Sequence, residues 1–210
     1  MKIALVGTGV SNLASIGTAL KSLRVEPVVV NESRSLEAFG GVIIPGVGNF
    51  HHVMSGFRLQ GFDRAIQDFA KSGRPILGIC LGMQLLATSS NESPQGEPCS
   101  GLDLVPSRVV RLAESGCNRR LPHIGWNNHV RIEESSRLMR GVENLQDFYF
   151  VHSFHLVPDR PTDSVATCEY GVNFVSVIEA DNVFGTQFHP EKSSRAGMKV
   201  LSNFVDIARC

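Results

Sequence analysis

The chain has 210 residues, with 20 Lys+Arg against 20 Asp+Glu, and 42% of its residues are hydrophobic. That length is enough to bury a full core in one large or two small domains, and the balanced charge excludes a global field drawing the protein to nucleic acid or a membrane surface. The five cysteines are odd in number and show no Cys-x-x-Cys spacing, which argues against zinc or a redox pair and fits a reducing cytoplasm.

Lys2 leads directly into Ile3-Ala4-Leu5-Val6, a run too short for a signal segment, and no apolar stretch approaches the ~20 residues of a spanning helix. Residues 3–6 therefore read as a strand. Residues 7–12 turn it into a helix whose Leu13, Ile16, Leu20 and Leu23 share one face. A strand at 27–30 follows. Gly7-x-Gly9-x-x-Asn12, with Glu32 ending the next strand, imitates a dinucleotide-binding start, although the third glycine is missing. Residues 41–44 form another strand running into Pro45-Gly46-Val47-Gly48, a glycine-rich turn in which the Val47 peptide is free to face inward. His51 and His52 open a helix and cap it or face solvent. Phe62, Ile66 and Phe69 mark an amphipathic helix ending near Gly73. After an apolar strand at 76–79, a helix starts with Met83 to Ala87, and the polar stretch 89–101 reads as a surface loop. Short strands then dominate, at Val105, 109–110, 130–132, 148–151, 164–168, 174–178 and 183–188, before a closing helix with Leu201, Phe204, Val205 and Ala208 on one face. With no repeat or linker to divide it, residues 1–210 read as one α/β domain. Its mixed, mostly parallel central sheet is flanked by helices, with the site at the carboxyl ends of the strands.

The chemistry gathers at Gly78-Ile79-Cys80-Leu81-Gly82, where a buried strand meets a helix. Gly-x-Cys-x-Gly is the thiol form of a nucleophile elbow. Its glycines let strand and helix approach, a strained turn exposes the side chain, and the helix aims free N–H groups at it. An ordinary buried cysteine at a strand end fits the same residues. The second stretch, Gln187-Phe188-His189-Pro190-Glu191-Lys192, favours the elbow: Pro190 leaves His189 at a strand end, and Glu191 stands two residues on. A cysteine nucleophile needs a base, and the base needs a carboxylate to fix its tautomer; Cys80, His189 and Glu191 supply those three roles. Asp147 and Asp181 are alternative orienting acids, further from His189 in sequence. His152 and His155, three apart, lack a neighbouring carboxylate or cysteine at metal-ligand spacing.

Gly78-Ile79-Cys80-Leu81-Gly82-Met83-Gln84 together with Gln187-Phe188-His189-Pro190-Glu191-Lys192-Ser193 resembles the class I, triad-type glutamine amidotransferases. Three further segments are similar to the glutaminase subunits of imidazole glycerol phosphate synthases: Pro45-Gly46-Val47-Gly48-Asn49-Phe50, Leu121-Pro122-His123-Ile124-Gly125-Trp126-Asn127 and Tyr149-Phe150-Val151-His152-Ser153. Ser11 stands where that family has glycine, and Phe154 where tyrosine is common. The resemblance implies a glutaminase with no metal or other cofactor, working by a Cys80-His189-Glu191 triad in which His189 reaches both Cys80 and Glu191. It implies an oxyanion hole from Val47 and Leu81 and glutamine contacts at Gly48, Gln84, Ser153 and Phe154. It further implies a (β/α)8-barrel cyclase partner in a heterodimer, taking up ammonia to make imidazole glycerol phosphate and 5-aminoimidazole-4-carboxamide ribonucleotide in histidine biosynthesis. The docking face expected is Asn12, Trp126, Asn127, Tyr149 and Lys192, with Trp126 in a loop between Gly125 and Asn127. Two other readings stand beside this one: a glutaminase subunit serving a sugar-modifying synthase, and a non-catalytic nucleotide-binding regulatory domain using loop 7–12.

Overall fold

The computed structural model describes residues 1–7, 13–33, 36–93, 97–143 and 145–209. The expected loop after Gly7, with Ser11 and the interface candidate Asn12, lies outside them. In chain order the described elements are β1 (Lys2–Val6), α1 (Leu13–Ser22), β2 (Glu26–Val30), β3 (Gly41–Gly46), α2 (Phe50–Gln60), α3 (Phe62–Lys71), β4 (Ile76–Cys80) and α4 (Leu81–Leu85). Then come β5 (Ala87–Ser90), β6 (Cys99–Ser100), β7 (Val105–Arg111), β8 (His123–Ile132), β9 (Asp147–His152) and β10 (Phe154–Pro158). β11 (Ser164–Glu169), β12 (Asn173–Ala180), β13 (Val183–Thr186) and α5 (Ser194–Ile207) complete the order.

Among the described residues the main sheet has nine strands in the order β2-β1-β3-β4-β13-β12-β11-β8-β9, and a second sheet has four, β10-β7-β5-β6. The mixed character is as expected, but its proportions differ. Pairing is parallel from β2 through to β13 and antiparallel from β13 to β9. Inside the edge strand β2, the parallel half is buried on both faces, successive side chains of each strand pointing to opposite sides. Ile3 and Leu5 pack on one side with Ile16 and Leu20 of α1 and Leu201 and Phe204 of α5, while Ala4 and Val6 pack on the other with Phe57 of α2 and Phe62 and Ile66 of α3. Each of the larger of these fully buried side chains, the Ile, Leu, Val and Phe, stabilises the fold by about 1.5–3 kcal/mol. No helix of the described residues is long and apolar enough to cross a membrane.

Departures from the sequence reading concentrate after the elbow and around Trp126. The helix after the elbow ends at Leu85 and Ala87 begins a strand, because the carbonyls of Leu85, Leu86 and Ala87 accept N–H groups from residues 102–105 instead of continuing a helical ladder. Part of the polar stretch is thereby β5 and β6, paired at Ser89–Ser100 and Ser90–Cys99. Trp126 is not in a loop: β8 runs ten residues, its first half paired with β9 and its second with β11. Gly125 and Asn127 read as turn residues, yet cross-strand pairing to Phe150 and Phe148 overrides that preference.

Candidate active site

Cys80 closes β4 with φ 56 and ψ −111, a backbone conformation that costs a non-glycine residue about 1–3 kcal/mol. What enforces it is the interlocking of β3, β4 and α4. A Cβ on Gly82 would lie 1.7 Å from the Ile44 carbonyl oxygen, and one on Gly78 would lie 2.5 Å from that of Gly82. With both positions bare, the chain turns within one residue and presents Cys80 at the carboxyl end of the sheet. The helix that follows is a turn and a half, shorter than expected.

β13 runs parallel to β4, so the residues after it emerge beside Cys80. The strand stops at Thr186, short of the expected residue 188. Gln187 still donates its N–H to the Ser176 carbonyl, and His189 donates its N–H to the Tyr149 carbonyl of β9. Pro190 then opens a 3-10 turn, Pro190–Lys192, which brings Glu191 back against the ring: His189 Nδ1 and Glu191 Oε1 are 2.9 Å apart, with the two side chains only 4% and 1% exposed. This contact selects Glu191 over Asp147 and Asp181 as the residue paired with His189. The expected contact with Cys80 is looser. His189 Nε2 is buried and closes no hydrogen bond in this geometry, although Cys80 stands near enough to favour the imidazolium. Burial acts against the charged ring, but Cys80 and Glu191 together outweigh it and push the His189 pKa up to about 9. The Cys80 Sγ lies 3.7 Å from the Val151 carbonyl and receives Gln187 Nε2 at 3.8 Å.

Above Cys80 opens a cavity of about 310 Å³. Val47, Gly48, Leu81, Gln84, Ser153 and Phe154 all line it, so the expected oxyanion and substrate positions converge on one space. Three lining residues were not singled out from sequence as substrate contacts: Glu92, Val151 and His152. Glu92 accepts the Phe50 N–H at 2.9 Å, and burial raises its carboxyl pKa while Phe50 and Asn49 oppose the rise. Its one sequence signal is being an acid, like Glu97, in a polar stretch otherwise free of charge. Gln84 spends its amide nitrogen on the Phe154 carbonyl and Gln187 Oε1, both at 2.9 Å.

Of the expected docking face, Trp126 and Tyr149 are cross-strand partners with ring centroids 5.9 Å apart, and Lys192 Nζ lies 5.6 Å above the Tyr149 ring. Trp126 is 54% exposed, so it is not core packing. Asn127 donates to the Glu169 carbonyl at 2.9 Å. The α2 helix is capped by Asn49, whose side chain accepts the His52 N–H, and not by His51 or His52. His152 and His155 diverge: the first pairs with His123 at 3.1 Å and the second with Ser115 at 2.7 Å. Burial pushes His152 down to about 3 and His123 and His155 to about 4.

The glutamine amidotransferase class-I family matches residues 4–208. The chain is 43% identical over 207 residues to the imidazole glycerol phosphate synthase subunit HisH of Moorella thermoacetica, covering 99% of this chain and 95% of that one. It is 41% identical over 207 residues to the subunit of the same name from Methanothermobacter thermautotrophicus, covering 99% of each. Among solved structures, a glutamine amidotransferase superposes with a TM-score of 0.75 at 18% identity, covering 99% of both chains, a likeness of fold. An elbow cysteine with a buried His-Glu pair on this sheet thus joins a full-length match: the chain belongs to the class-I glutamine amidotransferases and, within them, to the HisH subunits of imidazole glycerol phosphate synthase.

Proposed function

We propose that this chain hydrolyses glutamine to glutamate and ammonia and passes the ammonia to a (β/α)8-barrel cyclase subunit making imidazole glycerol phosphate and 5-aminoimidazole-4-carboxamide ribonucleotide. The observation that carries the reading is the strained Cys80, facing a cavity roomy enough for glutamine, with the His189–Glu191 pair buried behind it. The Cys80 sulfur attacks the side-chain amide carbon. The amides of Val47 and Leu81 hold the oxyanion, and His189 gives the departing nitrogen its proton. Water then hydrolyses the thioester, with His189 taking and returning a proton. Gln84 has only Oε1 left for a ligand and Glu92 is a carboxylate, so the two form an acceptor wall suited to the α-ammonium group of glutamine. Gly48, Ser153 and Phe154 frame the rest, and Phe154 brings no hydroxyl.

The work is done in the cytoplasm by residues 1–210 acting as one domain. Glutamate release by the purified chain, alone and with the cyclase subunit, tests the reading; no release in either case would overturn it.

His189 sets the pH dependence. An imidazolium held up to about 9 supplies the proton to ammonia until the pH passes that value, so turnover should fall on the alkaline side near pH 9. Glu191→Gln removes one of the groups favouring the charge, and the alkaline limb should move to lower pH. The same ring contributes to stability in a defined window. Its folded pKa lies above the unfolded ~6.5, so the contribution is complete below about pH 6.5 and is lost as pH rises through about 9. Denaturant midpoints at pH 6 and pH 9.5 should show a smaller alkaline loss for Glu191→Gln than for wild type.

Docking is expected on the β8–β9 face. Trp126, exposed beside Tyr149 and Lys192, is an aromatic of the kind that anchors interfaces. Trp126→Ala should weaken cyclase binding about 30-fold or more, whereas Lys192→Ala, a solvated charge, should cost about fivefold or less. The isolated chain is the poorer glutaminase, because the liganded cyclase favours the state with the Val47 amide turned into the oxyanion hole. Equal turnover alone and in the liganded complex would exclude that activation.

A further inference from the structure

Gln187 is fully buried, sits two residues before His189, and has no task in the steps above. A buried primary amide has two donors and a carbonyl to satisfy, so its orientation carries information. Gln187 Oε1 accepts from Gln84 Nε2 at 2.9 Å, and Gln187 Nε2 points at Cys80 Sγ at 3.8 Å. Neither amide can be reversed. Turning Gln84 would set its carbonyl against the carbonyl of Phe154, which now accepts from Gln84 Nε2 at 2.9 Å. With Gln84 so fixed, turning Gln187 would set two NH2 groups against each other in place of the present Gln84-to-Gln187 hydrogen bond. A backbone carbonyl, that of Phe154, thus dictates through two glutamines that an N–H faces the sulfur. The Phe154 carbonyl is itself steadied by His152 Nδ1 at 2.9 Å.

Resting on the glutaminase reading, we propose that Gln187 is the positioning residue of the nucleophile: its amide N–H, locked by Gln84 and the Phe154 carbonyl, donates to Cys80 Sγ and stabilises negative charge on the sulfur. The sulfur carries that charge immediately before it attacks the amide carbon and again when water expels it from the thioester. The same donor therefore serves both halves of the reaction. An amide also suits the place because it does not titrate: unlike a lysine or histidine there, it cannot compete with His189 for the thiol proton. The Val151 carbonyl, 3.7 Å from Sγ on another segment, is the acceptor that the uncharged thiol can use. Gln187 is the donor for its charged form, so the pair favours opposite protonation states of one sulfur.

The test compares wild type with Gln187→Met, which keeps length but has no donor, and with Gln84→Met, which leaves the Gln187 amide in place but unlocks it. Two quantities are read on the purified full chain: the rate of Cys80 alkylation by iodoacetamide at pH 7, per folded molecule, and kcat and KM for glutamine. Gln187→Met should slow alkylation and lower kcat by about tenfold or more, the loss expected when one hydrogen bond to a charged atom is removed. Gln84→Met should slow alkylation by a smaller factor, about threefold, since a free amide presents its N–H only part of the time. Wild-type alkylation rates in both folded variants, with a lowered melting temperature the only change, would overturn the proposal. If Gln187→Met does not fold, an unchanged alkylation rate in Gln84→Met is enough to do so. Slower alkylation in the variants of a chain whose wild type releases no glutamate, either alone or with the cyclase subunit, would refute the glutaminase reading and leave the sulfur contact standing.

Discussion

Cys80→Ala should lower glutamate release about 10⁴-fold or more, because without the sulfur no thioester forms and water must attack an unactivated amide. The expected labelling is equally selective. A glutamine-like electrophile such as 6-diazo-5-oxo-L-norleucine should add to Cys80 and leave Cys99, Cys117, Cys168 and Cys210 largely untouched. Burial pushes the Cys168 thiol up to about 12 and raises that of Cys99, and Cys117 is buried while donating to the Tyr170 carbonyl at 3.0 Å. Cys80 is as buried as Cys117 but lines the cavity that a glutamine-like electrophile would enter. His189→Ala should cost nearly as much as Cys80→Ala, whereas Glu191→Gln should cost about 10²–10³-fold, since the acid orients and the base moves protons. Full turnover by Cys80→Ala, or labelling spread over several cysteines, would refute the assignment.

The other large effect is on the fold. Gly82→Ala should destabilise the chain by about 4 kcal/mol or more, a drop of about 10 °C in melting midpoint for a domain of this size. The added methyl would sit 1.7 Å from the Ile44 oxygen and 2.8 Å from its carbon. Ile44 cannot yield, being fully buried in β3 between β1 and β4. The helix would have to lift away from the sheet, carrying Leu81 and the back of Cys80 with it. Gly56 is the control: it lies within α2 with nothing inside 4 Å of an added Cβ, so Gly56→Ala should stabilise by about 0.5–1 kcal/mol. A thermal melt of the two variants beside wild type decides the point; a Gly82→Ala midpoint within about 2 °C of wild type would contradict this packing argument.

The parts legible in the sequence were those where local chemistry and tertiary role coincide. Gly78 and Gly82, two residues either side of Cys80, announce a tight turn because a side chain at either would meet backbone, and Pro190 beside His189 announces a strand end. The continuous apolar runs at 3–6 and 41–44 mark strands buried on both faces. The less legible parts depend on partners distant in sequence. Trp126 lies between two turn-formers and becomes strand because β9 pairs with it. β10 begins directly after Ser153, and its bonds go to β7 in the second sheet, so residues 154–158 carry no signal distinguishing strand from loop. Glu92 enters the cavity because β5 and β6 fold the polar stretch back over α2, and its hydrogen bond to Phe50 spans 42 positions. Gln187 was visible as part of a motif, but its contact with Cys80 spans 107.

That last separation has a consequence for the life of the chain before it is finished. β4, which carries the cysteine, lies between β3 and β13, and β13 is made long after its partner, Val183 pairing with Ile76. A ribosome that has exposed residues 1–150 has released the sulfur, its elbow and much of the cavity wall, but neither His189, Glu191 nor Gln187. The parallel strand that supplies them must insert beside β4, a pairing across more than half the chain and hence a slow one. Copies that have not yet paired β13 with β4 therefore hold a cysteine without its base, and no glutamine is consumed by them.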